Sequence, residues 1–223
     1  PSPTPLRILL HRWAQAVRWG MRWIGGMKIE LRGLQHLPKA GPALLAGKHH
    51  SEVDGILLAA EIPGIAFIAM DELFKLPVIG AILYRLQMIR VDACGGGRER
   101  NNLAKFAKRA YASGRHIVIY PEGHLMAPGE RERYRSGIYH LSRDLGLPVT
   151  PVATSIGLLW NRRDWRKRAG SAAIEFLPPI ETGLDKASFM RRLEELKGRP
   201  EIAGSGVCGA VSSFGIAASS ASV

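Results

Sequence analysis

The segment His116 to Tyr120 reads HIVIY and runs without a spacer into Pro121-Glu122-Gly123. It is one of a series. Lys28 to Arg32, Pro42 to Ala46, Ile65 to Met70, Met88 to Val91, Pro148 to Ile156 and Ala172 to Leu177 are further short runs that are apolar or alternate in polarity, as strands do. Between them lie segments with helical spacing: Ser51 to Glu61, Phe74 to Leu86, Arg98 to Ser113, Tyr134 to Leu145 and Leu184 to Lys197. Strands that are apolar on both faces need cover on both sides. Parallel neighbours also need a crossover between them, and that crossover is normally a helix. The alternation therefore predicts an α/β domain with a largely parallel central sheet flanked by helices. At 223 residues the chain is long enough for one such domain.

Leu6 to Ile24 has a different character. On a helical projection Arg7, His11, Arg18 and Arg22 share one face, and Leu6, Leu9, Leu10, Trp13, Val17 and Ile24 lie opposite. Trp19 and Trp23 stand at the flank. A cationic face bordered by tryptophans is the pattern of a helix lying in a membrane interface. Trp13, Trp19, Trp23, Arg18 and Arg22 are its expected contacts. The alternative is a helix that packs its apolar stripe on the domain. After residue 197 the chain becomes rich in Gly, Ala and Ser and nearly uncharged, which reads as a tail. The expected division is residues 1–27 as the membrane-associating segment, 28–197 as the principal domain and 198–223 as the tail.

The formal net charge of +12 calls for an anionic partner: a membrane surface, a phosphorylated substrate or nucleic acid. No nucleic-acid motif accompanies the charge, so nucleic acid is not expected. The two cysteines are far apart and fit no zinc spacing, which favours a reducing compartment. No run of 18 apolar residues occurs, so an ordinary spanning helix is not expected within the chain. The chain opens on Pro1 rather than Met, which leaves open an upstream start with a signal or anchor.

Several chemistries lack their signatures. There is no G-x-S-x-G elbow, no H-E-x-x-H and no Cys-x-x-Cys. Gly41 to Lys48 approaches a phosphate-binding loop but has five residues between its glycines, and His49 takes the Ser/Thr place.

The positive signal is KHHSEVDGIL, Lys48 to Leu57, where an apolar strand runs into a helix. Ser51 is placed to cap the helix, with Asp54 as the acidic member of a capping box. That reading leaves His49 unexplained. A histidine at the carboxyl end of a parallel strand, with a carboxylate to hold its second ring nitrogen, makes a general base. The pair carries no nucleophile of its own, so the substrate must bring one: a hydroxyl. A metal site from His49, His50 and Asp54 lacks a third ligand at recognised spacing, and no metal is expected. In YPEGH, Gly123 lets the turn approach a ligand closely, and Glu122 is a candidate for substrate hydroxyls.

Taken in order, four blocks resemble the glycerolipid acyltransferase family, and its bacterial 1-acyl-glycerol-3-phosphate branch in particular. They are His49-x4-Asp54; Glu72, Leu73, Pro77 and Gly80; Pro121-Glu122-Gly123; and Leu147 to Val152. The resemblance spans roughly residues 28 to 196. It implies transfer of a fatty acyl chain from an acyl thioester, acyl-CoA or acyl carrier protein, to the free hydroxyl of a lysolipid at the cytoplasmic face of the bacterial inner membrane. His49 would be the base and Asp54 its orienting partner, with no cofactor beyond the co-substrate. The sequence departs from the family where cations are usual. Leu125 replaces the arginine of the third block, Met70 and Asp71 precede Glu72 where a lysine is usual, and Ala93 follows Asp92. A desolvated phosphate needs paired charge. Arg90, Arg98 or Arg100 are candidate substitutes, with Gly95 to Gly97 as an anion nest. The acceptor is accordingly expected to be either 1-acyl-glycerol-3-phosphate or a lyso-aminolipid of the lyso-ornithine type, with Asp71 or His124 reading the head group and Glu72 and Ser51 as further candidate substrate contacts. Trp160 to Arg168 mixes aromatics and cations and suits CoA phosphates, an acidic carrier protein or lipid headgroups. A membrane-binding module without catalysis and an acyl-thioester hydrolase are the alternatives.

Overall fold

The computed structural model describes residues 3–92, 96–127, 130, 133–162 and 164–197, with only the backbone of residues 96–100. Seven strands form one sheet: β1 (Met27–Arg32), β2 (Leu44–Gly47), β3 (Ala66–Met70), β4 (Ile89–Val91), β5 (Ile117–Ile119), β6 (Val149–Thr154) and β7 (Gly170–Phe176). The order across the sheet is β1-β7-β6-β2-β5-β3-β4. The five strands from β6 to β4 are mutually parallel, as expected. At the other edge β7 runs antiparallel to β6, and β1 pairs parallel with β7. β7 follows β6 without an intervening α-helix, and a short connection returns the strand beside its neighbour in the opposite sense.

Residue alternation divides the core between the two faces. Leu45, Val152, Ala172, Ile174 and Phe176 point to one side, where they meet Ala14 and Met21 of helix α1 (Thr4–Trp23) and Leu57 and Leu58 of α2 (Asp54–Glu61). Leu44, Ala46, Val149 and Ala173 point to the other. There they meet Leu103 and Ala107 of α5 (Gly96–Ala112), Ile138 and Leu141 of α6 (Gly137–Leu145), and Phe189, Leu193 and Leu196 of α7 (Lys186–Lys197). The interior strand β6, parallel to β2 and antiparallel to β7, is buried along its whole length because helices cover both faces of the sheet there.

The Phe74 to Leu86 segment resolves into two short helices, α3 (Asp71–Phe74) and α4 (Pro77–Arg85). Pro77 starts the second because it needs no hydrogen-bond partner there. Gly80 allows the two to approach, since a Cβ at that position would lie 2.1 Å from the Phe74 carbonyl oxygen. Helix α1 docks on α2 and β1 through Ala14, Val17 and Met21, while Leu6 and Leu10 reach the cluster of Phe74, Leu86 and Met88. Its cationic face is not wholly free. Arg18 pairs with Glu61 at 2.7 Å, His11 bonds the Ala59 carbonyl and Arg7 bonds Gln87. Among the residues α1 leaves exposed are Ile8, Leu9, Trp13, Trp19 and Trp23, with Arg12 and Arg22. No described helix is long and apolar enough to cross a membrane. The tail beyond residue 197 lies outside the described residues.

Candidate active site

The carboxyl ends of β2, β3 and β5 open on one edge of the sheet, the place where α/β proteins gather ligands. A cleft of about 1100 Å³ occupies that edge. His49 lines it, two residues beyond the end of β2. Its ring stacks on Tyr120, with centroids 4.1 Å apart and an interplanar angle of 18°. Its Nδ1 lies 3.4 Å from Asp54 Oδ2. The ring is partly exposed, while Asp54 is buried. With Nδ1 turned to the carboxylate, Nε2 is the ring atom left to accept a proton.

Asp54 opens α2, but the expected capping box is absent. The helix begins at Asp54, not at Ser51, and its N-cap residue Val53 makes no side-chain cap. The carboxylate works backwards instead: Oδ2 accepts the amides of His50 at 2.7 Å and Ser51 at 2.8 Å. Ser51 is fully buried and outside the cleft, and its Oγ accepts only the Val53 amide at 3.4 Å. Asp54 thus freezes the loop that carries His49 and also orients the ring. Burial raises its pKa, against the opposing effect of His49 and the two loop amides. Burial also lowers His50 to about 4, helped by Lys48, Lys197 and His49, so His50 is neutral in the fold.

The second motif meets the first from β5. The Tyr120 ring fills the space a side chain at Gly47 would need: a Cβ there would lie 2.6 Å from Tyr120 Cε1. Burial raises the Tyr120 pKa well above its usual value, helped by Asp54 and Glu122. The Met126 amide bonds the His49 carbonyl at 2.8 Å and ties the two loops directly. Gly123 has φ +78°, which only glycine adopts cheaply, and the Arg135 guanidinium covers it at a distance that excludes a Cβ. Gly123, His124, Glu72, Arg135 and Arg162 line the cleft with His49.

Three expected contacts fall elsewhere. Glu122 is buried and paired with Lys197 at 3.1 Å, so its carboxylate does not meet a substrate hydroxyl in the cleft. Asp71 is paired with Lys75 at 2.7 Å and with Arg90, and is not among the cleft residues. It therefore offers no free carboxylate to an amine. Arg90 is held by Asp71 and the Tyr84 hydroxyl and lines a separate hollow along the free edge of β4. Residues 93–95, and the side chains of Arg98 and Arg100, lie outside the described residues.

Tyr120, Arg135 and Lys197 escaped the sequence reading. Tyr120 adjoins a quoted motif and looks like strand. Arg135 sits in an irregular segment without a pattern. Lys197 did carry a signal: with Phe189, Leu193 and Leu196 it falls on the apolar face of α7.

Much of the remaining lining is apolar: Ile56, Phe67, Leu83, Leu86, Val91 and Leu103, with Leu10 and Trp13 of α1. Glu52, Asp92, Ser136, His140 and Asp144 are polar members of the same lining. His49 therefore opens onto a mostly apolar cleft large enough for a long hydrocarbon, with Arg135 and Arg162 in its wall.

Comparison with known proteins agrees with this arrangement. A family model described as Acyltransferase matches residues 28–155, more than half of the chain and including both motif loops. A 1-acyl-sn-glycerol-3-phosphate acyltransferase of Pseudomonas aeruginosa is 26% identical over 90% of this chain and 77% of its own length. One from Limnanthes alba is 25% identical over 72% of this chain, which spans only 57% of that relative. A crystal structure described as the 1-acyl-sn-glycerophosphate (LPA) acyltransferase PlsC from Thermotoga maritima superposes with a TM-score of 0.68 at 18% identity, over 86% of this chain and 77% of that one. That identity makes the likeness one of fold. The motif order, the sheet and the matched segment lead to one conclusion: the chain belongs to the acyltransferase family.

Proposed function

We propose that the protein transfers a fatty acyl group from a thioester to the free hydroxyl of a lysolipid, with His49 as general base. The observation that carries this is the His49–Asp54 pair, with His49 lining a large and mostly apolar cleft. His49 Nε2 takes the hydroxyl proton as the lipid oxygen attacks the thioester carbonyl. The tetrahedral adduct then collapses, the C–S bond breaks, and the imidazolium returns the proton to the departing thiolate. Asp54 holds the tautomer and stabilises the transient imidazolium. The products are a diacyl lipid and a free thiol, so no further cofactor is required.

For the acceptor we favour a 1-acyl-glycerol-3-phosphate. Support comes from the activity named for the relatives and from two cleft arginines, Arg135 and Arg162, of which Arg135 has no ion-pair partner among the described residues. A planar guanidinium suits a phosphate. Arg135 would then supply the charge that Leu125 does not. The donor is acyl-CoA or acyl carrier protein, with its chain in the apolar cleft. Trp13 of α1 and Ile79 and Ile82 of α4 are exposed and line the cleft together, and with the exposed Trp19 and Trp23 they suit a membrane surface, which we take to be the cytoplasmic face of the inner membrane.

The test is a panel assay. Acyl-CoA and acyl carrier protein are each supplied with lysophosphatidate, lysophosphatidylcholine and a lyso-ornithine lipid, and products are read by mass. Lysophosphatidate is expected to be the fastest acceptor. Arg135→Gln should raise its KM about tenfold, the weight of one charge-assisted phosphate contact. Faster turnover of the lyso-ornithine lipid refutes the acceptor assignment. Loss of no more than a few-fold in kcat with His49→Ala refutes the catalytic one.

A further inference from the structure

Lys197 closes α7, beyond the matched family segment. Its side chain has no solvent exposure. The ammonium donates to the Gly47 carbonyl at 2.9 Å and to Glu122 Oε1 at 3.1 Å, and lies 4.4 Å from the centre of the Tyr134 ring. Its own backbone carbonyl accepts from Lys48 Nζ at 3.4 Å. Gly47 precedes the Lys48-His49 loop, and Glu122 lies two residues after the Tyr120 ring that stacks on His49. One buried ammonium therefore joins the loop that carries the base to the turn that supports it.

Fold stability alone does not account for this choice. Burying an ion pair strips both charges of their water, and an apolar residue of the same length on a helix face commonly does as well or better. What a methionine cannot do is hold two carbonyl-bearing loops in fixed geometry at once. The buried Glu122 also depends on the ammonium, because its other oxygen has no hydrogen-bond partner among the described residues.

We propose that Lys197 is a positioning residue for acyl transfer: it locks the His49 loop to the Glu122 turn and so fixes the imidazole against Tyr120. This rests on the acyltransferase reading for its kinetic consequence but not for its structural one.

The experiment uses the full chain with Lys197→Met, Glu122→Gln and the double variant. The His49 ring-proton shifts are followed by NMR with labelled histidine, assigned by comparison with His49→Gln, and kcat and KM are measured alongside. Lys197→Met cuts the link between the two loops, so the His49 ring should move off Tyr120 and its protons should lose the ring-current shift that stacking gives them. Its kcat should fall about tenfold or more, with KM for the acyl donor within about twofold, as for a displaced catalytic group. The double variant should restore neither, since the Gly47 link stays broken. Unchanged ring-proton shifts and kcat in folded Lys197→Met overturn the proposal. So does a kcat loss that only tracks the unfolded fraction seen by circular dichroism. Should Lys197→Met fail to fold, Lys197→Gln, which keeps a donor, takes its place. If that also fails, the role is global stability and the proposal is overturned. A wild-type protein that transfers no acyl group from any thioester refutes the functional reading, while the His49 ring-proton shifts still decide the role of Lys197.

Discussion

Asp54 holds two jobs that one pair of substitutions should separate. Its Oδ2 accepts two backbone amides, from His50 and Ser51, and faces His49 Nδ1. Both amides belong to buried residues. Asp54→Ala orphans them, and each orphaned buried donor costs about 1–3 kcal/mol. The loss of about 2–6 kcal/mol is a large share of a domain stability of about 5–15 kcal/mol. Asp54→Asn places an amide oxygen where Oδ2 stood and keeps both bonds. It also removes a carboxylate whose burial already disfavours the charged form, so the stability change should stay within about 1 kcal/mol. Catalysis should not separate in this way. Both variants lose the charge that fixes the His49 tautomer and stabilises the imidazolium, and both should lose about 10²–10⁴-fold in kcat. Chemical denaturation and steady-state acyl transfer on the same preparations provide the two readouts. Asp54→Asn within threefold of wild-type kcat would refute the orienting role. Asp54→Asn as unstable as Asp54→Ala would show that the two loop bonds are not what the carboxylate contributes to the fold.

Other outcomes follow from the same geometry. His50 is neutral in the fold, with its pKa lowered to about 4 by burial, against an ordinary value near 6.5 when unfolded. Its contribution is therefore full above pH 6.5 and lost as pH falls toward 4, at most about 3 kcal/mol. Guanidinium unfolding at pH 7 and pH 4.5 should show a smaller pH difference in His50→Asn than in wild type, and equal differences would remove His50 from the acid response. Gly47→Ala pushes a Cβ against the Tyr120 ring, so it should cost about 1–3 kcal/mol and lower kcat about tenfold by disturbing the stack on His49. Normal kinetics in that variant would show the stack to be dispensable. Trp19 and Trp23 are 62% and 67% exposed, so the double alanine variant should leave the thermal midpoint nearly unchanged. Its partition onto anionic vesicles should fall about tenfold, as measured by sedimentation, and unchanged partition would remove α1 from the membrane contact.

Much of this molecule was present in its local patterns. All seven strands were legible because each is a short apolar run between turn residues, and such a run has few other ways to hide its side chains. The His49-x4-Asp54 spacing was legible because a strand end and a helix start bring those residues together locally, whatever surrounds them. The direction of β7 was not legible, since strand sense depends on how the chain returns and not on the strand's own residues. The role of Ser51 was misread for a related reason: a capping box describes donors and acceptors in sequence, while the carboxylate of Asp54 found better-buried amides behind it.

The sequence by itself determined the fold class, the pairing of His49 with Asp54 and the presence of an amphipathic first helix. Each rests on residues within a turn or two of one another. Only the tertiary structure decided which charges face the cleft. Asp71, Arg90 and Glu122 look available in the linear text, yet each is satisfied by a partner brought from elsewhere in the fold. Arg135 and Lys197 look incidental, yet packing delivers one to the cleft and the other beneath the catalytic loop. The physical reason is that a buried charge is settled by its full surroundings, which in this chain come from segments as far apart as residues 47, 122 and 197.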